Sequence, residues 1–418
     1  MIDLKLLRAS PGQVRAALAR RGDPSLTRLL DEIEALDMKR RTLTAQLDTL
    51  KAERNDAAKA DAIAAKSPGG LPATVVAERK KLGEKITYLE SELRQIETTL
   101  EAKALFVPNL PLPEVPDEPT TLRSWGTPAP KGGKAHWEIA ETLGMLDLAR
   151  GAKLAGSGFP VLTGRGARLA RALINFMLDL HTREHGYTEV EPPFLVRRDI
   201  MIGTGQLPKF EDDVYRTTDD LFLVPTAEVP VTNLHRDEIL DGATLPKGYV
   251  AYTPCFRREA GAAGKDTRGL LRVHQFDKVE LVRFCRAADS PAEHEKLTGQ
   301  AEEVLRRLEL PYRIAVLPAN DFGFAAGKTY DLEAWAPGVG QWLEVSSSST
   351  FTDFQARRAN IRCRPKAGDK PEFVHTLNAS GVALPRTIAA LLETHQQPDG
   401  SVVLPPALVP YVGTDRIA

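Results

Sequence analysis

The stretch TPCFRREAGAAGKDTRGLLRVHQFDKVE, Thr253 to Glu280, is the densest concentration of chemistry in the chain. Its two ends read as strands and enclose a Gly-rich, strongly basic loop, so a hairpin is expected. Arginine carries a planar fork of donors that suits phosphate and stacks on flat rings. Gly261, Gly264 and Gly269 would let the backbone approach a ligand closely. Taken alone, the stretch suggests an anion site; a solvated hairpin tip is the plainer alternative.

Outward from this hairpin, residues 135–418 alternate short strand-like runs with helical ones. Strands are expected at Val190–Val196, Leu221–Pro225, Lys278–Phe284 and Trp342–Ser346, and helices over 165–185, 290–308 and 384–396. The absence of a regular βαβ rhythm predicts an α+β domain around a mainly antiparallel sheet. Gly323-Phe-Ala-Ala-Gly327-Lys328-Thr329 imitates a phosphate loop. Only three residues separate its glycines where four are required, so that geometry fails. GxGxxG after a strand, HExxH and GxSxG do not occur, and Ser346–Ser349 has no histidine nearby in sequence to make a nucleophile.

The N-terminal part follows another rhythm. Leu29, Ile33, Leu36, Leu43, Leu47 and Leu50 recur at alternating steps of four and three, with Arg40 and Arg54 on the seam. After Ser67-Pro68-Gly69-Gly70 the period resumes at Val75, Leu82, Ile86, Leu89, Leu93, Ile96 and Leu100. Such a 3.5-residue repeat predicts two helices folded back as an antiparallel coiled-coil hairpin, an arm about 60 Å long. It could be a spacer or dimerisation element, or a probe for a distant part of a large substrate. Charge does not decide, because residues 26–66 carry eight basic and eight acidic side chains. Seven prolines in 106–134 mark a stiff linker. The expected domains are therefore 1–105, the linker 106–134, and 135–418.

Composition bounds the rest. With 418 residues, 55 Lys+Arg and 56 Asp+Glu, the net charge of −1 provides no global pull toward polyanions. Cys255, Cys285 and Cys363 lie far apart, which argues against a disulfide framework or a cysteine zinc site. Neither a signal-type N-terminus nor a window of ~20 apolar residues is present, so a soluble, cytoplasmic protein with no membrane partner is expected.

The Phe256–Glu280 stretch resembles motif 2 of the seryl-tRNA synthetases, a class II family. Pro225-Thr226-Ala227-Glu228 is similar to that family's serine-binding segment. Leu343–Ser347, followed by Thr352–Asn360, resembles its nucleotide and metal segment. Asn378-Ala379-Ser380 and Ala383–Thr387 resemble motif 3, and Gly186-Tyr187 through Pro193 resembles motif 1, which lies at the dimer interface in this class. The helical hairpin is similar to the family's tRNA-binding arm. Ser348, Thr350, Phe351, Ala379 and Pro385 depart from the commoner Cys, Asn, Cys, Gly and Gly.

The resemblance implies a class II antiparallel sheet with flanking helices and an enzyme that forms seryl-adenylate from L-serine and ATP, then charges tRNA(Ser). Whether tRNA(Sec) is also a partner stays open. It implies a homodimer and a Mg2+ ion on Glu344 and Ser347. Arg257, Glu259 and Arg386 would be catalytic, with Arg258, Val345 and Ser346 completing the ATP contacts. Thr226, Ala227, Glu228, Arg257, Glu280 and Ser380 would receive serine. A ligase loading a carrier protein would lack this arm, and a non-catalytic RNA-binding relative need not keep Arg257, Glu259, Glu344 and Arg386 together.

Overall fold

The computed structural model describes residues 1–64, 71–260 and 268–418. The turn Ser67–Gly70 and the loop glycines Gly261 and Gly264 lie outside these residues. The chain divides into two compact units, Ile2–Val107 and Pro108–Ala418 together with Met1.

In the first unit the heptad rhythm becomes two long helices, Ser25–Ala64 and Ala73–Ala104. Leu43 and Leu47 of one pack against Ile86, Leu89 and Ile96 of the other, with Leu36, Leu50, Leu82 and Leu93 closing the seam. Lys39–Glu92, Arg79–Asp61 and Lys103–Glu32 ion pairs bridge the helices at 2.8, 3.0 and 2.7 Å. The partner's number falls as the first helix's rises, so the pair is antiparallel. At the base, the short helices Leu4–Ala9 and Pro11–Ala19 bury Leu7, Val14 and Leu18. Asp37 is buried there between Arg8 and Arg40 at 3.0 Å each. Burial opposes its charge, but the two guanidinium groups outweigh that and hold the carboxyl below its ordinary range.

The second unit is built on an eight-stranded sheet. Its order is Thr120–Trp125, Tyr312–Val316, Lys328–Ala336, Gln341–Thr350, His375–Ala383, Gln275–Cys285, Lys247–Phe256 and Thr188–Glu189. All neighbours are antiparallel except the last pair. The predicted hairpin is its longest ladder, from Phe256 opposite Gln275 to Lys247 opposite Phe284. Side chains alternate along Gln275–Cys285. Val279 and Leu281 enter the main core, while Val282 and Phe284 enter a second cluster on the other face. Lys278 and Glu280 share parity with that second face.

Helices cover the main core. Gly164–Arg183 buries Leu169, Leu173, Met177 and Leu180 at helical spacing, and Ser290–Arg307 buries Leu297, Ala301, Val304 and Leu305. In Leu384–His395, Pro385 occupies the first turn, where the missing N–H has no intrahelical acceptor to lose. That departure from glycine is therefore accommodated by the start of a helix.

Two local readings are corrected. Val190–Val196 is not one strand. Pairing is limited to Thr188–Glu189 and Leu195–Arg197, because Pro192 and Pro193 remove two ladder donors between them. Conversely, Thr120–Trp125, inside the proline-rich stretch, pairs with Tyr312–Val316 as the sheet's edge.

Candidate active site

Two bulges shape the centre of the sheet. Leu332 faces Ser346 and Glu333 faces Glu344, so Val345 is the extra residue. Ser380 faces Glu280 and Val382 faces Val279, which leaves Gly381 unpaired. A bulge bends its strand and re-aims side chains. Both border a cavity of about 640 Å³.

Thr226, Glu228, Arg257, Glu259, Glu344, Val345, Ser346, Ser347, Ser380 and Arg386, dispersed over 160 positions of sequence, all line this cavity. Glu280 lies beneath the lining, fully buried, and is reached through Asn378 and Lys278. Ala227 instead packs into the second core cluster, and Arg258 is exposed outside the lining.

One end of the cavity is cationic. Arg257 donates through Nε to the Pro225 carbonyl at 3.3 Å and stands 5.2 Å over the Phe276 ring. Arg272 pairs with Glu259 at 2.6 Å. Glu259 has a left-handed backbone, φ 51°, which turns the chain out of the strand. Arg386 donates from Nε to Leu271 O at 3.0 Å and from Nη1 to Glu344 O at 2.9 Å and Oε2 at 3.2 Å.

The other end is a buried carboxylate network. Asn378 Nδ2 donates to Glu228 Oε2 at 3.0 Å and to Glu280 Oε1 at 2.7 Å. Gln355 Nε2 donates to Glu228 Oε1 at 2.5 Å, and its own oxygen accepts from Thr376 at 2.6 Å. Lys278 is paired with Glu280 at 2.5 Å, and the Glu228 backbone amide donates to Thr226 Oγ1 at 3.2 Å. Burial, then the nearby charge of Glu280, pushes the Glu228 carboxyl up to about 7. An ammonium group fits this end because it would restore the missing positive charge.

Glu344 and Ser347 contribute hard oxygens at the bulge, and Asp331 stands directly across from Ser347. Asp331 Oδ1 is buried with no hydrogen-bond partner among the described residues. Burial and the Glu344 carboxylate push the Asp331 carboxyl well above its ordinary range. Oxygen donors with excess negative charge suit magnesium. Among the described residues no group of three or more His, Cys, Asp or Glu is arranged to hold a metal, so an ion here would depend on substrate oxygens as well.

Three of the four serines, Ser346, Ser348 and Ser349, are tied into the fold. Ser346 Oγ donates to Ser380 O at 2.6 Å, Ser348 Oγ meets Thr298 Oγ1 at 2.9 Å, and Ser349 Oγ meets Thr329 Oγ1 at 2.8 Å. His294 bonds the Ser348 carbonyl, not a hydroxyl, at 3.0 Å. In the false phosphate loop, Lys328 opens a strand and pairs with Glu114 at 3.5 Å.

Asn378, Lys278, Gln355 and Asp331 were not singled out as site residues from sequence. Asn378 sits within Asn378-Ala-Ser380, and Lys278 is two residues from Glu280, so strand alternation could have flagged both. Gln355 lies within Thr352–Asn360, a segment marked by the resemblance, whereas Asp331 comes from another strand and leaves no local signal.

The family model of the tRNA synthetase class II core domain (G, H, P, S and T) matches residues 209–395, which include nearly the whole cavity lining. Fold and site together thus define the core of a class II aminoacyl-tRNA synthetase. The seryl-tRNA synthetase N-terminal domain model matches residues 1–111. The serine–tRNA ligases of Gemmatimonas aurantiaca and Thermomicrobium roseum are 56% and 53% identical, covering 100% and 99% of this chain and 100% and 94% of theirs. The crystal structure of seryl-tRNA synthetase from Pyrococcus horikoshii complexed with ATP superposes with a TM-score of 0.94 at 39% identity, covering 100% of this chain and 99% of that one. The chain belongs to the seryl-tRNA synthetase family.

Proposed function

We propose that this chain activates L-serine with ATP and transfers the seryl group to the 3′ end of serine tRNA. The observation that carries this reading is that one cavity has both a guanidinium-rich end and a carboxylate-rich end. In the first step a serine carboxylate oxygen bonds to the α-phosphorus while the bond to the bridging oxygen breaks. Pyrophosphate leaves, and seryl-adenylate remains. A terminal ribose hydroxyl of tRNA then attacks the seryl carbonyl, and AMP leaves. An anion thereby meets a polyanion, so alignment and neutralisation of growing charge are the main tasks, and no protein nucleophile is required.

Arg257 is assigned to the α-phosphate, Glu259 to the adenine end and Arg386 to the γ-phosphate. Glu344 and Ser347 would hold magnesium, which would neutralise phosphate charge. Thr226 and Glu228 receive the serine ammonium, and Glu280 and Ser380 its ammonium or hydroxyl end. A site built to pair a hydroxyl rejects analogues lacking it, since its buried groups would be left unpaired. The arm is assigned to tRNA, the protein to a homodimer in the cytoplasm. Among the described residues no helix is long and apolar enough to cross a membrane.

Serine-dependent ATP–pyrophosphate exchange, followed by charging of purified serine tRNA, tests the reading. Exchange with another amino acid in preference to serine, or exchange without charging, would reject it.

A further inference from the structure

His136 opens the short helix His136–Thr142 and is fully buried, as is Glu393 in Leu384–His395. Neither residue lines the cavity. His136 Nδ1 lies 2.7 Å from Glu393 Oε1, and its Nε2 lies 3.1 Å from the backbone nitrogen of Leu270. A backbone amide can only donate, so Nε2 must be bare and the ring proton must sit on Nδ1, donated to Glu393. Glu393 is held in turn, because Oε1 accepts from His136 N at 2.9 Å and Oε2 from Val339 N at 3.0 Å.

The residue gripped by His136 begins the return limb of the basic hairpin. Its neighbour Leu271 accepts from Arg386 Nε, and Arg272 pairs with Glu259. Arg386 and Glu393 are seven positions apart and share one face of their helix. That helix therefore holds two consecutive residues of the limb, the Leu271 carbonyl directly through Arg386 and the Leu270 amide through His136. The seat is tight. Gly269 has φ 68°, and a Cβ there would lie 2.5 Å from His136 Nε2. Beside this seat Arg268 stands 4.7 Å over the Trp137 ring.

We propose that His136, oriented by Glu393, is a positioning residue for the nucleotide end of the site. Its bare Nε2 fixes the limb Arg268–Arg272 and so sets Arg386 and the Glu259–Arg272 pair where ATP arrives. This rests on the assignment of Arg386 to the triphosphate.

Pyrophosphate exchange on the full-length protein tests it. In His136→Asn the amide keeps a donor for Glu393 but is too short to serve Leu270. KM for ATP should rise about tenfold, as for one lost bond to a buried amide, with KM for serine within about twofold. His136→Gln, whose carbonyl reaches the position of Nε2, should recover most of the ATP affinity. Gly269→Ala, which keeps both His136 and Glu393 but sets a Cβ against Nε2 and so displaces the limb, should give the same ATP-selective rise and stands in if His136→Asn does not fold. Unchanged KM for ATP, an equal rise in both constants, or no advantage of Gln over Asn would overturn the proposal. If Arg386→Ala leaves KM for ATP unchanged, the site assignment fails; if it raises KM while His136→Asn and Gly269→Ala do not, the positioning role alone fails.

Discussion

Glu228 and Glu280, carboxylates from a short helix and a central strand, are joined through one amide: Asn378 Nδ2 donates to both, at 3.0 and 2.7 Å. Among the described residues Glu280 is ion-paired, with Lys278 at 2.5 Å, and Glu228 is in no ion pair. The pair therefore has a deficit of positive charge that serine's ammonium would fill.

Proton release should accompany serine binding. The Glu228 carboxyl titrates at about 7 in the folded protein, against about 4.3 in an unfolded chain. Folding thus takes up a proton between those values, and the group's contribution to stability declines as pH rises through that window. A bound ammonium favours the ionised form. Calorimetry at pH 7 in buffers of different ionisation enthalpy should show up to about half a proton released per serine, fading by pH 9 and absent in Glu228→Gln. Buffer-independent heats would contradict the assignment.

Gln355→Ala removes the 2.5 Å bond to Glu228 and leaves the Thr376 hydroxyl without its acceptor. Buried groups left unpaired cost about 1–3 kcal/mol. The serine requirement in exchange should rise at least about tenfold while that for ATP changes little. A parallel loss in both would assign Gln355 to general stability.

Glu280→Ala should raise the serine requirement far more than the ATP requirement. It also strands the buried ammonium of Lys278, which should cost about 3–5 kcal/mol. The double variant Lys278→Met/Glu280→Ala should recover thermal stability without recovering serine affinity. Denaturation midpoints and serine titrations of the two variants check both halves.

Deleting residues 27–104 removes most of a unit that is compact by itself. Serine activation should persist and tRNA charging should be lost. In the intact protein, tRNA affinity should fall steeply with salt through phosphate contacts. Retained charging by the truncated protein would remove the arm from recognition.

What could be read from sequence follows from local periodicity. The leucine seam marked both long helices, and strand-like ends around a Gly-rich basic loop marked the hairpin of Thr253–Glu280. Thr120–Trp125 was hidden because an edge strand needs no buried face; all six residues are exposed, and the strand is held by ladder bonds, by Arg123 pairing with Glu302 at 2.7 Å and by Trp125 stacking on Tyr312. Bulges at Val345 and Gly381 were illegible because register belongs to strand pairs. The motif resemblance located the arginines and carboxylates, yet Gln355 and His136 reach the site through partners 127 and 134 positions away. Only the folded chain reveals such couplings.

The most direct measurement is a crystal structure with a non-hydrolysable seryl-adenylate analogue. The analogue's ammonium should lie against Glu228 and Asn378 and its phosphate mimic on Arg257. A compound bound elsewhere, or with its ammonium turned toward Arg386, would contradict the site assignment.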